Sequence, residues 1–200
     1  MLDEPDVMPD DASRGSGTLR NKRIVIIGAG IGGLTAALAF ARRGANVHIY
    51  EQASALNEVG AGIQVTPNGS RVLAELGLSD AMDAASIVAQ AVMPTDAISG
   101  KAIARFDLSS QVPPYRFFHR AALVEMIAQG AQAAGVEISF SVRVENIDKD
   151  GTLNTNIGQI SGDLCVGADG IHSVSRLLLG NTAEPEFTGQ VAWRATIVAK

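Results

Sequence analysis

Residues 24–51 constrain the fold more than any other part of the chain, because an apolar stretch breaks into a glycine turn and then into a helical pattern. Residues 24–27 are four consecutive apolar residues, a pattern typical of a parallel strand buried on both faces. The helical pattern ends at Gly44, and a second short strand stops at Glu51. The spacing therefore predicts a β-α-β unit within a parallel sheet.

The glycines of this turn have distinct physical roles in a connection that binds a dinucleotide. Gly28 permits the sharp turn, Gly30 lets the backbone approach a pyrophosphate, and Gly33 allows the helix to pack closely on the strand. The free N–H groups at the start of the helix then face the phosphates. Glu51 follows about 20 residues later, where a carboxylate accepts hydrogen bonds from both ribose hydroxyls of an adenosine. The motif predicts a dinucleotide site and leaves both NAD and FAD open as its ligand.

Composition excludes several classes of protein. The chain has 200 residues, 46% of them hydrophobic, and a net charge of −5, so it lacks the basic character of a nucleic-acid-binding protein. No apolar run is long enough to predict a membrane span. The single cysteine, Cys165, rules out an internal disulfide, and we interpret it as a buried small hydrophobe rather than a reactive thiol. Because residues 1–20 contain no apolar export signal, we expect a cytoplasmic location.

The rest of the chain alternates between strand-like and helix-like patterns and contains no internal repeat. In chain order, the patterns predict a loop over 52–66, a helix from Pro67, short strands near 87–118, a helix that follows Arg120 and ends at Gly135, strands on both sides of a turn at Asp150 and Gly151, a strand that runs into a turn over 159–170, a short helix over 173–180, and a final strand over 190–199.

Five segments, read in order, resemble the single-component flavoprotein monooxygenases that hydroxylate aromatic compounds, particularly the salicylate hydroxylase-like branch. They are GAGIGGLTAALAFARRG with Glu51, GAGIQVTPNGSRVLAELGL, HRAAL, VGADGIHSVSRLLLG and FTGQVAWRATI. The resemblance implies an α/β fold: a Rossmann-like FAD-binding domain of the glutathione reductase type with a partial inserted or substrate β-sheet.

The same resemblance divides the chain into three parts. Residues 1–20 are expected to form a disordered acidic tail. Residues 21–186 are expected to form the FAD-binding domain, with a short β insertion near 87–118. Residues 187–200 would begin a substrate domain that is incomplete here.

The resemblance also implies a set of cofactor contacts along the chain. The glycines would hold the FAD pyrophosphate, the acidic residue and its neighbour would bind the adenosine ribose, and one apolar side chain would touch the adenine. Other polar residues would approach the ribityl chain or the phosphates. The implied cofactor-binding residues are Gly28, Gly30, Gly32, Gly33, Glu51, Gln52, Gln64, Arg120, Val144, Asp169 and Gly170.

The Asp-Gly segment continues into two further polar residues, Ser173 and Arg176. Arg176 offers a positive charge for phosphates, and the alternative is a structural ion pair with Asp169. We assign no catalytic residue and no metal ligand. His48, His119 and His172 are interpreted as structural or adjacent to the cofactor. Trp193 and Arg194 are predicted either to face a substrate domain or to pack at a sheet edge.

The activity implied by the resemblance is hydroxylation of a small aromatic, salicylate-like substrate, with FAD as cofactor and NADH or NADPH as co-substrate. The family's second flavin motif, a Gly-Asp-Ala-x-His segment, is absent from these 200 residues. We therefore expect an N-terminal portion, split or cut from a longer enzyme, that works with a C-terminal half. Two alternatives stay open: a catalytically inactive nucleotide-binding fragment, and a different flavoprotein monooxygenase such as an epoxidase.

Overall fold

The computed structural model describes residues 19–56, 61–180 and 183–191. Its elements, in chain order, are β1 (Arg23–Ile27), α1 (Ile31–Ala41), β2 (Asn46–Tyr50), β3 (Gly62–Val65), α2 (Pro67–Glu75), α3 (Ser79–Ala85), β4 (Ser86–Val88), β5 (Ala91–Val92), β6 (Phe106–Asp107), β7 (Arg116–His119), α4 (Arg120–Ala133), β8 (Glu137–Ser139), β9 (Val144–Ile147), β10 (Leu153–Thr155), β11 (Gly158–Ile160), β12 (Leu164–Gly167) and α5 (Ser175–Leu178).

A four-stranded parallel sheet with the order β12-β1-β2-β8 organises the fold. Successive side chains of β1 point to opposite faces of this sheet. Ile24 and Ile26 pack against α1 and α4, whose buried side chains form the larger core. Val25 and Ile27 pack on the other side in a smaller core. Burial on both faces explains why this strand reads as an uninterrupted apolar run, and the predicted β-α-β unit and α/β fold class are confirmed.

An antiparallel meander, β9-β10-β11, covers the second face of the parallel sheet. Its side chains Val144, Ile147 and Leu153 complete the smaller core. The hairpin between β9 and β10 turns at Asp150 and at Gly151, whose φ of +87° favours glycine. The predicted strands and turn in this region are confirmed.

In the second small sheet, β3-β7-β4, and the pair β5-β6, all strands but β3 fall in or next to the region near 87–118 where short strands were expected. Arg116 on β7 is 7% exposed and forms an ion pair with Asp83 of α3 while donating a hydrogen bond to Ser86 Oγ at 2.9 Å. This pairing compensates the burial of a charge between a helix and two strands. The division into domains stays a prediction.

Three expectations differ from the structure. The predicted loop over 52–66 contains strand β3 (Gly62–Val65), because these residues pair with β7. Residues 159–170 do not form one strand, because β11 ends at Ile160 and β12 begins at Leu164 after a turn through Gly162. A Cβ on Gly162 would lie 2.8 Å from the Arg23 carbonyl oxygen, so the turn passes close to the start of β1. Helix α3 was not anticipated at all.

Several predictions fall outside the described residues. These are the acidic tail over 1–18, most of the final strand over 190–199, and the positions of Trp193 and Arg194. Leu19, at the border of the expected tail, packs against the larger core. Residues 183–191 contain no helix or strand within the described part.

Candidate cofactor site

A cleft of about 270 Å³ opens where β1, β2 and β12 end, at the carboxyl edge of the parallel sheet. This is the edge at which open α/β sheets bind ligands. The predicted site residues that line the cleft are Gly28, Gly30, Glu51, Gln52, Val144, Asp169 and Gly170. The fold thus brings together residues from four separate parts of the sequence.

Two glycines of the turn are required by packing. Gly28 has a φ of +99°, and a Cβ there would lie 2.6 Å from the Ala168 carbonyl oxygen. A Cβ on Gly33 would lie 2.0 Å from the Gly28 carbonyl oxygen, so α1 approaches the end of β1 more closely than any side chain allows. These contacts agree with the turn and packing roles predicted for the two residues.

Gly30 and Gly32 differ from these two, because a Cβ on either would meet no heavy atom within 4 Å. Gly30 precedes the first turn of α1 and lines the cleft. The first N–H groups of a helix have no partner within the helix, and the helix dipole makes this end positive. The open space beside Gly30 therefore suits an anionic group such as a phosphate.

The Glu51 carboxylate lies at the end of β2 and is held by the backbone on two sides. Its Oε2 accepts a hydrogen bond from the Ala29 N–H at 2.7 Å, and its Oε1 accepts one from the Ala53 N–H at 2.8 Å. An ionised carboxylate has about four acceptor sites, so each oxygen retains the capacity to accept another hydrogen bond. The carboxylate is thus fixed in the cleft and able to receive two hydroxyl groups.

The Asp169 carboxylate is directed at its own turn. Oδ1 accepts a hydrogen bond from Ser173 Oγ at 2.6 Å, and Oδ2 accepts from the N–H groups of Val174 and Ser175 at 2.7 and 3.0 Å and from Ser175 Oγ at 3.1 Å. Burial alone raises the pKa of this carboxyl, but the hydrogen bonds from Ser173 and Ser175 outweigh it and leave the pKa below its ordinary value. Asp169 therefore stabilises the start of α5 and also borders the cleft.

Arg176 lies in this helix, and its predicted ion pair with Asp169 is absent from the salt bridges of the described residues. Its Nη1 instead approaches the Ile171 carbonyl oxygen at 3.5 Å, and its N–H donates to Ser173 Oγ at 3.0 Å. The structural alternative for Arg176, an ion pair with Asp169, is therefore wrong. Its phosphate contact stays a prediction.

Gln64 and Arg120 are not among the residues that line the cleft. Gln64 Oε1 accepts a hydrogen bond from the Tyr115 hydroxyl at 2.6 Å, and the Arg120 N–H donates to the Ala61 carbonyl at 3.0 Å. Both residues therefore belong to the β3-β7 side of the molecule. Their cofactor contacts stay predictions.

Sequence reasoning missed part of the cleft lining, notably Tyr50, Val142 and Ala168. A signal for Tyr50 was available, because it is the last residue of β2 and immediately precedes Glu51. His172 also lines the cleft, and its interpretation as structural or adjacent to the cofactor stays a prediction. Val142 carries no comparable signal, since it follows β8 in a connection without a motif.

Cys165 on β12 packs beside the smaller core and is only partly buried. Burial raises the pKa of its thiol, and the nearby Asp169 charge raises it further. A thiol that stays protonated is a poor nucleophile. This agrees with the interpretation of Cys165 as a small hydrophobe.

The volume of the cleft decides how much of a cofactor it holds. At about 270 Å³ it is smaller than the roughly 300–1,000 Å³ of pockets that enclose a drug-sized ligand. An open place for phosphate beside Gly30 and a fixed carboxylate at Glu51 fit the adenosine diphosphate part of FAD. The described residues of this chain thus suit one end of the cofactor.

The sequence matches the family described as FAD binding domain over residues 21–199. The chain belongs to this FAD-binding family. Among the FAD-binding chain's curated relatives, a 3-amino-4-hydroxybenzoate 2-monooxygenase from Streptomyces cremeus is 36% identical, and the match covers 90% of this chain and 47% of the relative. A 3-hydroxybenzoate 6-hydroxylase from Polaromonas naphthalenivorans is 34% identical over 88% of this chain and 46% of the relative.

Solved structures resemble the FAD-binding chain in the same way. A tetrameric form of 2-methyl-3-hydroxypyridine-5-carboxylic acid oxygenase matches with a TM-score of 0.73 and 33% identity, over 82% of this chain and 43% of that one. CtdE in complex with FAD and a substrate matches with a TM-score of 0.75 and 25% identity, over 84% and 43%. The FAD-binding chain spans about half the length of the relatives that it matches.

Within the described residues of the FAD-binding chain, no helix combines the length and apolar character needed to cross a membrane. In the same ranges, no cluster of three or more His, Cys, Asp or Glu side chains could hold a metal ion.

Proposed function

We propose that this chain is the FAD-binding portion of an FAD-dependent monooxygenase that hydroxylates a small aromatic acid. The cleft carries the proposal, because it combines a phosphate-sized opening at a helix start with a fixed carboxylate at the end of the next strand. Membership of the FAD-binding family supports it. The two relatives are named for their action on hydroxylated benzoates, which favours a substrate of that class.

Each residue of the cleft has a defined task in this proposal. Gly30 and the first turn of α1 bind the FAD pyrophosphate, Glu51 binds the ribose hydroxyls, and Val144 contacts the adenine. When bound, FAD supplies the redox chemistry with oxygen, and the protein supplies binding and orientation. Asp169 keeps the neighbouring turn in the shape that the cleft needs.

Further parts of the proposal concern the whole protein. NADH or NADPH serves as the reductant, a C-terminal portion supplies the aromatic site and covers the flavin, and the enzyme works in the cytoplasm. The match covers about half of each relative's length, which supports a further, C-terminal portion. NADPH and NADH oxidation, measured with that portion present, should increase when 3-hydroxybenzoate or a related acid is added.

A titration with FAD tests the site in this chain alone. We expect saturable quenching of flavin fluorescence by the wild type, and loss of binding of about a hundredfold or more in Gly30→Val, whose side chain fills the space beside the phosphate. Cys165→Ser is the matched control and should bind as the wild type does. Equal affinity of the wild type and Gly30→Val would refute the site.

A second candidate is a nucleotide-binding protein without turnover, favoured by the half-length match to the relatives. It predicts FAD or ADP binding by this chain and no reductant oxidation with any phenolic acid, even when the C-terminal portion is present. The oxidation assay therefore separates the two candidates.

A further inference from the structure

The rings of His48 and Tyr50 form a parallel stack on β2. Their centroids are 4.3 Å apart, and their planes differ by 7°. The two residues are separated by one position on the strand, so both point to the face covered by the meander. Stacked aromatic pairs stabilise a fixed ring orientation beyond the effect of buried area alone. The orientation of one ring therefore depends on the other.

Strand β8 holds the His48 ring in place. The register aligns His48 with Glu137 and Tyr50 with Ser139. His48 Nε2 lies 2.8 Å from Ser139 Oγ, and Nδ1 lies 3.4 Å from a Glu137 carboxylate oxygen. Both ring nitrogens thus have partners on the neighbouring strand, which leaves the imidazole one orientation.

The partner ring is part of the cleft. Tyr50 lines it between Glu51 and the meander, and its ring packs against the smaller core that contains Val144. The Tyr50 carbonyl also accepts a hydrogen bond from the Gly28 N–H at 2.8 Å. Tyr50 therefore joins the glycine turn, the carboxylate and the apolar wall.

We propose that His48 is a positioning residue for the nucleotide cleft: stacked on Tyr50 and tethered to Ser139, it holds the Tyr50 ring as a wall against the adenosine of the cofactor. This inference rests on the proposed function, because it requires the cleft to bind FAD. His48 touches no part of the cofactor and acts only through Tyr50.

Burial favours the neutral form of both rings, which suits a stack beside an apolar core. Burial lowers the pKa of His48; the charge of Glu137 on β8 raises it, and that of Arg23 on β1 lowers it. Burial raises the pKa of Tyr50. The charges of Glu137 and Arg23 have opposite signs, so they shift the pKa of each ring in opposite directions.

The test compares FAD titrations of the 200-residue chain and three variants. His48→Ala removes the stacked ring, and we expect affinity to fall about three- to tenfold. His48→Phe keeps a ring and should bind within about twofold of the wild type. Asn46→Ala, an exposed change on the same strand, is the control and should bind normally. Near-ultraviolet circular dichroism of tyrosine should change in the alanine variant at position 48 and be retained with phenylalanine.

The outcomes separate the inference from the proposed function. Absence of FAD binding by folded wild type overturns both. Normal binding by His48→Ala, or an equal loss with alanine and phenylalanine, overturns the positioning role and leaves the proposed function intact. Should His48→Ala not fold, His48→Leu removes the aromatic ring and keeps an apolar side chain; weaker binding by it than by His48→Phe supports the inference, and equal binding overturns it.

Discussion

The turns that follow β1 and β12 border the same cleft but are built in opposite ways. The turn after β1 depends on missing side chains, since a Cβ on Gly28 or Gly33 would meet backbone within 2.6 Å. The turn after β12 depends on one side chain, because the Asp169 carboxylate accepts hydrogen bonds from Ser173, Val174 and Ser175. The first turn leaves room for a ligand because its glycines have no side chains. The second turn keeps its shape because the Asp169 carboxylate accepts hydrogen bonds from within the turn.

This difference teaches which residues of a ligand site are structural. Gly28, Gly33 and Asp169 shape the two turns, whereas Gly30 and Glu51 face the space left between them. A substitution in the first group should change the free energy of unfolding. A substitution of Gly30 should change binding at constant stability, whereas a substitution of Glu51 should change both, because the Ala29 and Ala53 N–H groups would lose their acceptor.

Gly33→Ala should have the largest effect, because its Cβ would lie 2.0 Å from the Gly28 carbonyl oxygen and the helix must move away from β1. We expect a loss of about 3 kcal/mol or more in the free energy of unfolding. Urea denaturation followed by circular dichroism measures it. A loss below about 1 kcal/mol would mean that the contact between α1 and β1 is looser than described.

Asp169→Ala should lower the free energy of unfolding by less than Gly33→Ala does, since it removes one hydrogen-bonding group and leaves the parallel sheet intact. We expect about 1–3 kcal/mol of destabilisation, because the N–H groups of Val174 and Ser175 lose their acceptor. The same denaturation experiment measures it. Asp150→Ala, an exposed turn residue that accepts from one N–H, serves as the control and should cost less.

Gly30→Ala should leave stability unchanged, because its Cβ meets no atom within 4 Å and its φ of −71° is accessible to alanine. Its methyl group occupies the phosphate position, so FAD affinity should fall about tenfold, or about 1.4 kcal/mol. Fluorescence titration and urea denaturation of the same variant give the two numbers. A stability loss without a binding loss would reverse the assignment of Gly30.

The pH dependence of stability should show the smallest effect. The pKa of Asp169 is below 3.8 in the folded chain, so its contribution is present above the unfolded pKa and is lost as pH falls through the folded value. The wild type should therefore lose stability between about pH 5 and pH 3 more steeply than Asp169→Asn. Urea midpoints across this range measure the difference, and parallel curves would contradict it.

The glycine turn could be predicted from the sequence because its steric requirements involve residues that are close together in the chain. Gly28, Gly33 and the apolar run of β1 follow from the steric limits of a strand that turns into a helix. For the turn after β12, the sequence predicted the position but not the partners of Asp169. Hydrogen bonds within the turn and an ion pair with Arg176 are alternatives, and no spacing rule decides between them. The position of Tyr50 next to Glu51 could be used as a signal, but the contact of its stacked partner His48 with Ser139, 91 positions away, depends on the pairing of β2 with β8 and could not be predicted.

The position of β12 next to β1 has a consequence for the order of events during synthesis. The Arg23 N–H donates to the Asp163 carboxylate where these strands begin, and the two residues are 140 positions apart. A topology with such distant contacts folds slowly, and domains emerge from the ribosome N-terminus first. The glycine turn is therefore translated early, but its cleft has no second wall until β12 and α5 have been made.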